Sequence, residues 1–512
     1  MLKDQFIGKT FHLVLAGIFS VHLLSFFIRG TAFEPWILLV IGLAALVLSW
    51  KNLRTGLMLA FAELFVGGHG HLLHAEVGDL PVISLRIALF AAVMLAWLGL
   101  ALFKKRRPKW SQWRDIPWAI LAVVVAVAGI QGFLFQSAGF AFDDANGYLF
   151  IAYLLPIISV KWSGAGKRDW LQVLGGSVAW MAGFTLLLSY LFTHLPGKML
   201  AHLYTFVRDA RLAEVTLQVL DNGAFFYRVF MQSQFYLLIG IFLVLAFLWM
   251  KKKAILWQEF TLLAILGAAA WISLSRSFLI GFAGGIILLT FFAWKTRKSW
   301  GRWFGRGMLM ATALFAGIAI ATLTVVIPLP ERPDLTDASF YQTSADTGRE
   351  AGVASRWALL TPMMETIYDR PIFGSGFGTE VTYTTDDPRI IEETGGEYTT
   401  YRFEWGYQDI WLKMGLFGLI AFAILFYAYW RALKSSGKNQ LWLAFGFAAG
   451  MVFLFAAHIF SPYLNHPIGL GYLLFITPFL RWEKKMEFDP LKGRKIEIAV
   501  PKARVPIVTS GE

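Results

Sequence analysis

The stretch at residues 234–250 reads QFYLLIGIFLVLAFLWM, and KKK follows it at 251–253. An uncharged apolar run of this length is typical of a membrane-spanning helix, and the lysines mark the point where such a helix leaves the bilayer. Similar runs recur along the whole chain of 512 residues, of which 57% are hydrophobic and 15% charged, whereas soluble domains contain about 25% charged residues. The sequence therefore predicts a polytopic membrane protein and excludes a soluble enzyme, a disordered chain and a fibrous protein.

The apolar runs, separated by charged loops, give about fourteen candidate spans. They predict an all-α fold, a polytopic bundle of about 12–14 transmembrane helices. The third span is interrupted by Glu63, His69 and His71, and the sixth is short enough for a re-entrant segment. The predicted spans are 10–28, 34–50, 55–73, 81–103, 115–133, 146–160, 169–193, 234–250, 255–273, 277–294, 307–328, 408–430, 440–460 and 466–481.

The connecting loops alternate between a basic and an acidic or neutral composition. Because cytoplasmic loops carry the excess of lysine and arginine, the basic loops and both chain termini are predicted to lie in the cytoplasm. The formal charge of +13 follows mainly from this topology and predicts no nucleic-acid partner. The expected location is the cytoplasmic (inner) membrane. The predicted segments are N-terminal transmembrane helices at 1–193, a first large outer loop at 194–233, transmembrane helices at 234–328, a second large outer loop at 329–407, C-terminal transmembrane helices at 408–481 and a cytoplasmic tail at 482–512.

The chain contains no cysteine, which excludes disulfides, a thiolate nucleophile and a cysteine-ligated metal. The stretch GGHGHLLHAE at 67–76 brings His69, His71, His74 and Glu76 close together, and these residue types can bind a divalent ion. Their spacing fits none of the standard zinc signatures, and a glycine-rich outer turn is the alternative. The sequence therefore predicts neither a metal nor an organic cofactor.

Arginines in and beside the outer loops are candidates for binding an anionic substrate group. Arg276 lies in SLSRS at 273–277 between two apolar runs, where an arginine needs an anionic partner or water. The alternative is a helix-end residue that reaches for the membrane interface. Arg356 opens an amphipathic stretch at 355–368, where a cation has the wrong sign for the helix dipole. The weaker candidates are Arg228, Arg370 and Arg402.

Two further residues are candidates for proton transfer or substrate contact. Glu404 lies in YRFEWGYQD at 401–409, and a carboxylate near aromatic rings at this depth can act as a general base. The alternative is an interfacial charge paired with Arg402 or Lys413. His466 lies in the last outer turn and is expected to face the same cavity.

Three segments carry a resemblance to a known family. They are LSRSFLIG at 274–281 with Gly284 and Gly285, RWALLTPMMETIYDRPIFGSG at 356–376, and WLKMGLFGL at 411–419. Their order, and the long outer loop between the first and the third, resemble the O-antigen polymerase/ligase superfamily of integral-membrane glycosyltransferases. The resemblance covers 230–480, and the N-terminal half agrees in hydropathy only.

The resemblance implies an enzyme that transfers or polymerises glycans from a polyprenyl-diphosphate-linked donor at the outer face of the membrane. It implies a metal-independent, inverting reaction in which Arg276 and Arg356 stabilise the leaving diphosphate, and in which Glu404 takes the acceptor proton. Arg228, Arg370, Arg402 and His466 are the further residues expected to bind the substrate. The implied partners are the glycan donor, a glycan or lipid-linked acceptor, membrane lipids and, in some systems, a chain-length regulator.

The sequence departs from the family pattern at one informative position. Ligases of this family usually carry His-Asn about eleven residues before the Gly-Leu turn, and this chain has Glu404 followed by Trp405 there. The departure favours a polymerase, or a ligase for another acceptor, over a lipid A-core ligase. The alternative from another class is a flippase for lipid-linked oligosaccharides, but such transporters are typically built from two similar halves, which this sequence does not show.

Overall fold

The computed structural model describes residues 5–76, 82–103, 108, 110, 112–219, 225–251, 253–273, 275–296, 299–327, 347–385, 388–435, 441–480, 486–489 and 494–497. Residues 328–346, which include the first part of the predicted second outer loop, lie outside these ranges, as do most of the tail after residue 481 and Leu274 of the SLSRS stretch.

The predicted all-α polytopic bundle is confirmed. Within the described ranges, eight helices are long and apolar enough to cross a membrane, and shorter apolar helices accompany them. The helices are α1 (Lys9–Ile28), α2 (Glu34–Lys51), α3 (Leu53–Val66), α4 (Leu85–Phe103), α5 (Gln112–Phe135), α6 (Ala138–Tyr148), α7 (Leu154–Ser159), α8 (Gly164–His194), α9 (Gly197–Asp209), α10 (Gln234–Met250), α11 (Trp257–Ser273), α12 (Arg276–Thr296), α13 (Trp300–Val326), α14 (Thr347–Asp369), α15 (Pro388–Thr394), α16 (Gly406–Lys434), α17 (Leu441–Ala457) and α18 (Pro467–Ile476).

The core of the bundle is formed around α10, α17 and α18. These helices are apolar all round, and nearly every side chain of α10 and α18 is buried, as expected of helices enclosed by other helices. Helix α10 is the apolar stretch 234–250, and it contacts α8, α11, α12, α13 and α17. Helices α1, α2 and α13 instead leave many large apolar side chains exposed, which suits a surface in contact with lipid.

Two of the predicted spans differ in the structure. The third span, expected at 55–73, ends as a helix at Val66, because Gly68 and Gly70 adopt positive φ values of 54° and 88°. The chain then enters a short hairpin of β1 (His74–Ala75) and β2 (Ile83–Ser84). The sixth span, expected at 146–160, is divided into α6, a 3-10 helix at Leu149–Tyr153 and α7.

The predicted outer loops contain two further hairpins that the sequence analysis treated as loops. Strands β3 (Glu214–Val219) and β4 (Phe225–Phe230) form one, and β5 (Val381–Thr384) and β6 (Glu397–Thr400) form the other. Strand β4 alternates buried and partly buried residues, as expected of a strand with one face on the core. A last hairpin pairs β7 (Met486–Asp489) with β8 (Arg494–Glu497) within the predicted tail.

The amphipathic helix of the second predicted loop is longer than the expected stretch at 355–368. Helix α14 begins at Thr347 and continues to Asp369, with Pro362 inside it. Its buried face joins β5 and the start of α16 in a second apolar cluster. This cluster positions the residues discussed below. Its buried members are Leu359, Met363, Ile367, Val381, Tyr383, Phe403, Trp405 and Leu412.

A buried ion pair between Glu63 and Arg86 lies beneath the loop that follows α3. Glu63 accepts two hydrogen bonds from Arg86, at 3.0 Å and 3.1 Å, and Arg86 also donates to the carbonyl of Gly68 at 2.9 Å. Both charged side chains are at least nine-tenths buried. Because each charge is compensated only by the other, the pair fixes the start of α4 against the end of α3.

Replacing Glu63 by alanine is therefore expected to destabilise the protein by about 3–5 kcal/mol, the cost of leaving a buried charge unpaired. Thermal unfolding of the purified protein in detergent measures the effect. Glu365→Ala, at an exposed position of α14, is the control and should leave the midpoint unchanged. Equal midpoints for the two variants would contradict a structural role of the ion pair.

Candidate active site

One end of the bundle carries the polar groups that the sequence analysis selected. We call it the polar face. It is formed by the described residues of the loop 67–76, the β3–β4 hairpin, the α11–α12 turn, the segment 397–405 and the turn 458–466, together with Arg356 of α14.

Arg356 and Glu404 form a direct ion pair on the polar face. The segment before α16 is anchored by buried Phe403 and Trp405, and the Trp405 indole N–H donates to the backbone carbonyl of Arg356 at 2.8 Å. Trp357 packs edge-on against Trp405 with ring centroids 4.9 Å apart. These contacts hold the Glu404 carboxylate beside the Arg356 guanidinium, while half of each side chain remains exposed (51% and 50%).

The β3–β4 hairpin adds a second charged pair. Glu214 lies opposite Phe230, and Thr216 lies opposite Arg228, so Glu214 and Arg228 occupy the same face of the hairpin. Arg228 donates from Nε to the carbonyl of Ser273 at 2.8 Å. This hydrogen bond ties the hairpin to the end of α11. The Arg228 guanidinium also lies 5.0 Å from the centre of the Phe230 ring.

Electrostatic coupling joins the two pairs into one site. The Glu214 carboxyl keeps contact with solvent but lies in a crowded recess, and its pKa is raised by that burial. The charges of Arg228 and Arg356 lower the pKa of Glu214, whereas the Glu404 carboxylate raises it further. Burial, and then Glu214, also raise the pKa of the Tyr463 hydroxyl. The hairpin, the segment before α16 and the turn before α18 therefore lie close enough for their charged groups to interact.

Arg276 is the first residue of α12, and its side chain is exposed. The adjacent hydroxyls of Ser275 and Ser277 lie 3.2 Å apart, and Ser461 donates to Ser277 at 3.3 Å. The α11–α12 turn is thus linked to the turn 458–466 on one side. On the other side it is linked to Arg228 through Ser273. Arg276 thus lies on a turn that contacts both the β3–β4 hairpin and the turn 458–466, and within the described ranges it has no ion-pair partner.

The glycine-rich segment 371–378 fits against a kink in α16. Gly374 has a φ of 73°, and Gly415, at the kink, has a φ of 65° and a ψ of −167°. A side chain on Gly374 would lie 2.5 Å from the backbone nitrogen of Gly415, and one on Gly415 would collide with the carbonyl of Ile372. The segment is a turn, and it fixes the end of α14 to α16. The joining hydrogen bonds are Ser375 N–H to Leu412 O (2.8 Å), Gly376 N–H to Lys413 O (3.1 Å) and Leu416 N–H to Pro371 O (2.9 Å).

Arg402 has a different partner from Glu404. Its guanidinium pairs with Asp143 at 2.9 Å, and the Tyr401 hydroxyl donates to the same carboxylate at 2.6 Å. Lys413 also has other partners, Asp144 and Asp409. The alternative in which Glu404 is an interfacial charge paired with Arg402 or Lys413 is therefore wrong, because the partner of Glu404 is Arg356.

Lys413 belongs to a buried network at the start of α16. Its ammonium lies 2.8 Å from Asp144 and 2.7 Å from Asp409, and it donates to the carbonyl of Tyr401 at 2.9 Å. Asp144 also accepts from the backbone N–H of Gly378 at 2.7 Å. The network connects α6, α16 and the glycine-rich segment, so it holds the backbone that precedes Glu404.

His466 lies at the edge of the polar face, near the loop after α3. Its Nδ1 accepts from the backbone N–H of Ile468 at 3.3 Å, and its ring centroid is 6.1 Å from that of His69. Burial lowers the pKa of His466, and the charges of Arg86 and His69 lower it further. The imidazole is therefore neutral at neutral pH.

Arg370 is not part of this arrangement. It directly follows α14, whereas Arg356 lies in the middle of that helix, so the two are separated by about 20 Å along the axis. Arg370 is exposed. The five other arginine and glutamate candidates, together with His466, lie on the polar face.

The histidine stretch 67–76 is not gathered around one point. His74 is directed to Glu34, with Nδ1 2.7 Å from the carboxylate. Among the residues that the structure describes, no group of three or more histidine and acidic side chains is arranged to hold a metal ion. His69 and His71 instead face arginines, as discussed below.

Glu214 and the Lys413 network were not among the predicted site residues. The period-two pattern of EVTLQV at 214–219 and FFYRVF at 225–230 is a signal for a hairpin that would have placed Glu214 beside Arg228. The sequence contains no comparable signal for the contact between Lys413 and Asp144, which are far apart in the chain.

One part of the α-helical membrane fold, the part that carries the paired Arg356 and Glu404, matches a known family. Residues 261–423 match the family model described as O-antigen ligase, which supports the O-antigen polymerase/ligase superfamily for this chain. The match covers less than half of the chain but includes Arg276, Arg356 and Glu404. No curated protein and no solved structure matches the chain.

Proposed function

We propose that the protein transfers a glycan, or polymerises glycan repeats, from a polyprenyl-diphosphate donor to an acceptor hydroxyl at the outer face of the cytoplasmic membrane. The observation that carries the proposal is the half-exposed Arg356–Glu404 pair, with Arg228 on the adjoining hairpin and Arg276 on the turn that this hairpin contacts. The polar face then faces outward, and both termini lie in the cytoplasm.

The charge balance of the site suits a diphosphate. The proposed site combines three arginines, Arg228, Arg276 and Arg356, with two carboxylates, Glu214 and Glu404, so it has a net positive charge before substrate binds. Guanidinium groups match phosphate oxygens through paired hydrogen bonds. The arginines would stabilise the charge that the diphosphate gains as it leaves, without a metal ion.

In the proposed reaction Glu404 is the general base. The acceptor oxygen attacks C1 of the donor sugar from the face opposite the leaving group, the new C1–O bond forms, and the bond from C1 to the diphosphate oxygen breaks. The acceptor proton passes to the Glu404 carboxylate, and polyprenyl diphosphate leaves on the arginines. A single displacement of this kind inverts the configuration at C1 and forms no intermediate on the protein.

The proposal is tested in a strain that lacks this protein and carries the wild-type chain or a variant. Surface polysaccharide length and lipid-linked intermediates are measured together, with membrane levels of the protein as a control. Loss of long polymer with single repeats still on their acceptor identifies a polymerase, and long lipid-linked polymer that never reaches its acceptor identifies a ligase. Unchanged pools in the strain without the protein would contradict both.

Glu404→Ala is expected to reduce glycan transfer by about 10²–10⁴-fold, the range that a positioned general base contributes. Glu404→His is expected to recover much of that loss, because an imidazole at this position can take the proton and is the residue that related ligases carry. Glu365→Gln, at an exposed position of the neighbouring helix α14, is the control. Equal activity of Glu404→Ala and the control would exclude Glu404 as the base.

A further inference from the structure

A second cationic site lies on the polar face, at the loop 67–71. Three arginines that contact this loop or lie near it are already paired, Arg29 with Glu34, Arg86 with Glu63 and Arg402 with Asp143. Arg211 lies among them, is exposed and has no hydrogen-bond or ion-pair partner for its guanidinium within the described ranges.

The backbone at Arg211 is held in an unusual conformation. Its φ is 49°, and it is the only non-glycine residue with a positive φ among those the structure describes. Gly68 packs so closely that a side chain there would lie 2.8 Å from the carbonyl of Arg211, and His69 Nδ1 lies 3.4 Å from the same oxygen. A strained position of this kind persists where the surrounding structure requires it, often at a binding site.

Hydrogen bonds from two arginines hold the loop that faces Arg211. Arg29 donates to the carbonyl of His71 at 2.7 Å and also contacts the carbonyl of Asp209. From the other side, Arg86 donates to the carbonyl of Gly68 at 2.9 Å. The two arginines therefore fix the loop between α3 and β1 to the end of α9, where Arg211 follows.

Neutral imidazoles complete the site. Burial lowers the pKa of His71 to about 4, and Arg211 is the next largest cause. Burial also lowers the pKa of His69, to which Arg86, Arg211 and Arg402 contribute. A neutral imidazole carries one N–H group. His69 directs its N–H to the carbonyl of Arg211, whereas the ring of His71 has no hydrogen-bond partner within the described ranges and can donate to an anion without adding charge.

We propose that Arg211 and His71 bind an anionic group, a phosphate or a carboxylate, of the acceptor glycan, and that His69 holds the backbone of Arg211 in position. The assignment to the acceptor rests on the proposed function, because Arg402, which lies near His69, is two residues from Glu404. An acceptor anchored at Arg211 would present its hydroxyl toward Glu404, while the donor diphosphate occupies Arg276 and Arg356.

The test measures binding rather than transfer, so that its failure is separate from failure of the proposed function. Isothermal titration uses the full-length protein in detergent, at constant ionic strength, with inorganic phosphate or glucuronate as the probe. All proteins carry Arg356→Ala, which removes the predicted diphosphate contact. Arg211→Gln is compared with Arg208→Gln, an exposed arginine three residues earlier that already pairs with Asp209 at 2.9 Å.

We expect saturable binding in the Arg356→Ala background, unchanged binding in Arg208→Gln and at least tenfold weaker binding in Arg211→Gln. Arg211→Gly serves as a second variant, because glycine adopts a positive φ without strain. It should keep or raise the midpoint of thermal unfolding and still lose binding. Preference for phosphate would assign a phosphorylated acceptor, and preference for glucuronate an acidic sugar. Absence of saturable binding in the background, or equal affinity in Arg211→Gln, would overturn the proposal.

Discussion

Arg356→Ala is expected to lower kcat/KM for glycan transfer by about 10²–10³-fold, the loss seen when one preorganised donor to a developing negative charge is removed. The folded protein should remain, because half of the Arg356 side chain is exposed. Arg356→Lys should recover only part of the activity, since an ammonium keeps the charge but not the paired hydrogen bonds of a guanidinium. Steady-state transfer by the purified protein measures the effect.

Arg370→Ala is the matched control for that prediction. Arg370 is an exposed arginine that follows the same helix, but it lies away from the Arg356–Glu404 pair. We expect its replacement to leave kcat/KM within about threefold of the wild type, as for a solvated charge with little effect on its surroundings. Equal losses for the two variants would mean that the loop as a whole, rather than the paired site, determines activity.

Gly415→Ala is expected to be the most destabilising single methyl addition in the matched region. The residue has a φ of 65° and a ψ of −167°, and the new methyl group would collide with the carbonyl of Ile372. Backbone strain and steric overlap together should cost at least about 3 kcal/mol. The measurement is the thermal midpoint in detergent, together with the amount of protein in the membrane.

Gly183→Ala provides the comparison. Gly183 lies inside α8, and nothing stands within 4 Å of the added methyl. An alanine in a helix interior is favoured over glycine by about 1 kcal/mol, so this variant should be as stable as the wild type or more stable. A tolerated Gly415→Ala would show that the kink in α16 is not needed to fix the glycine-rich segment.

The fit of Gly374 against Gly415 gives a physical reason for the motif resemblance. The glycine-rich end of the second motif segment and the Gly-Leu entry of the third pack backbone to backbone. A side chain at either glycine would separate α14 from α16, and with them Arg356 from Glu404. The similar residues of the second and third motif segments thus correspond to one contact that the candidate site requires.

Hydropathy predicted the helices well, because an apolar run of sufficient length has few alternatives in a bilayer. It was wrong about the end of α3, where positive-φ glycines at 68 and 70 turn the chain before the apolar residues end. It also read the β3–β4 hairpin as a loop, because hydropathy averaged over a window hides a period of two.

The candidate site was predicted by residue type, but its pairings were not. Residue type selected Arg356 and Glu404 as candidates, and the structure brings the two side chains together, yet the sequence offered Arg402 and Lys413 as partners of Glu404. The sequence also offered Arg370 and Arg402 as equal candidates for binding the substrate. Such contacts depend on how helices pack across long stretches of chain, and a single sequence without its fold does not specify them.

The most direct test of the central claim uses the purified protein in vesicles with a labelled polyprenyl-diphosphate glycan and an acceptor. We predict that each glycan joined to the acceptor is accompanied by one released polyprenyl diphosphate, and that Arg356→Ala slows the formation of both products by the same factor, about 10²–10³. Movement of the intact donor across the bilayer, with its bond to the diphosphate unbroken, would contradict the account and identify a flippase instead.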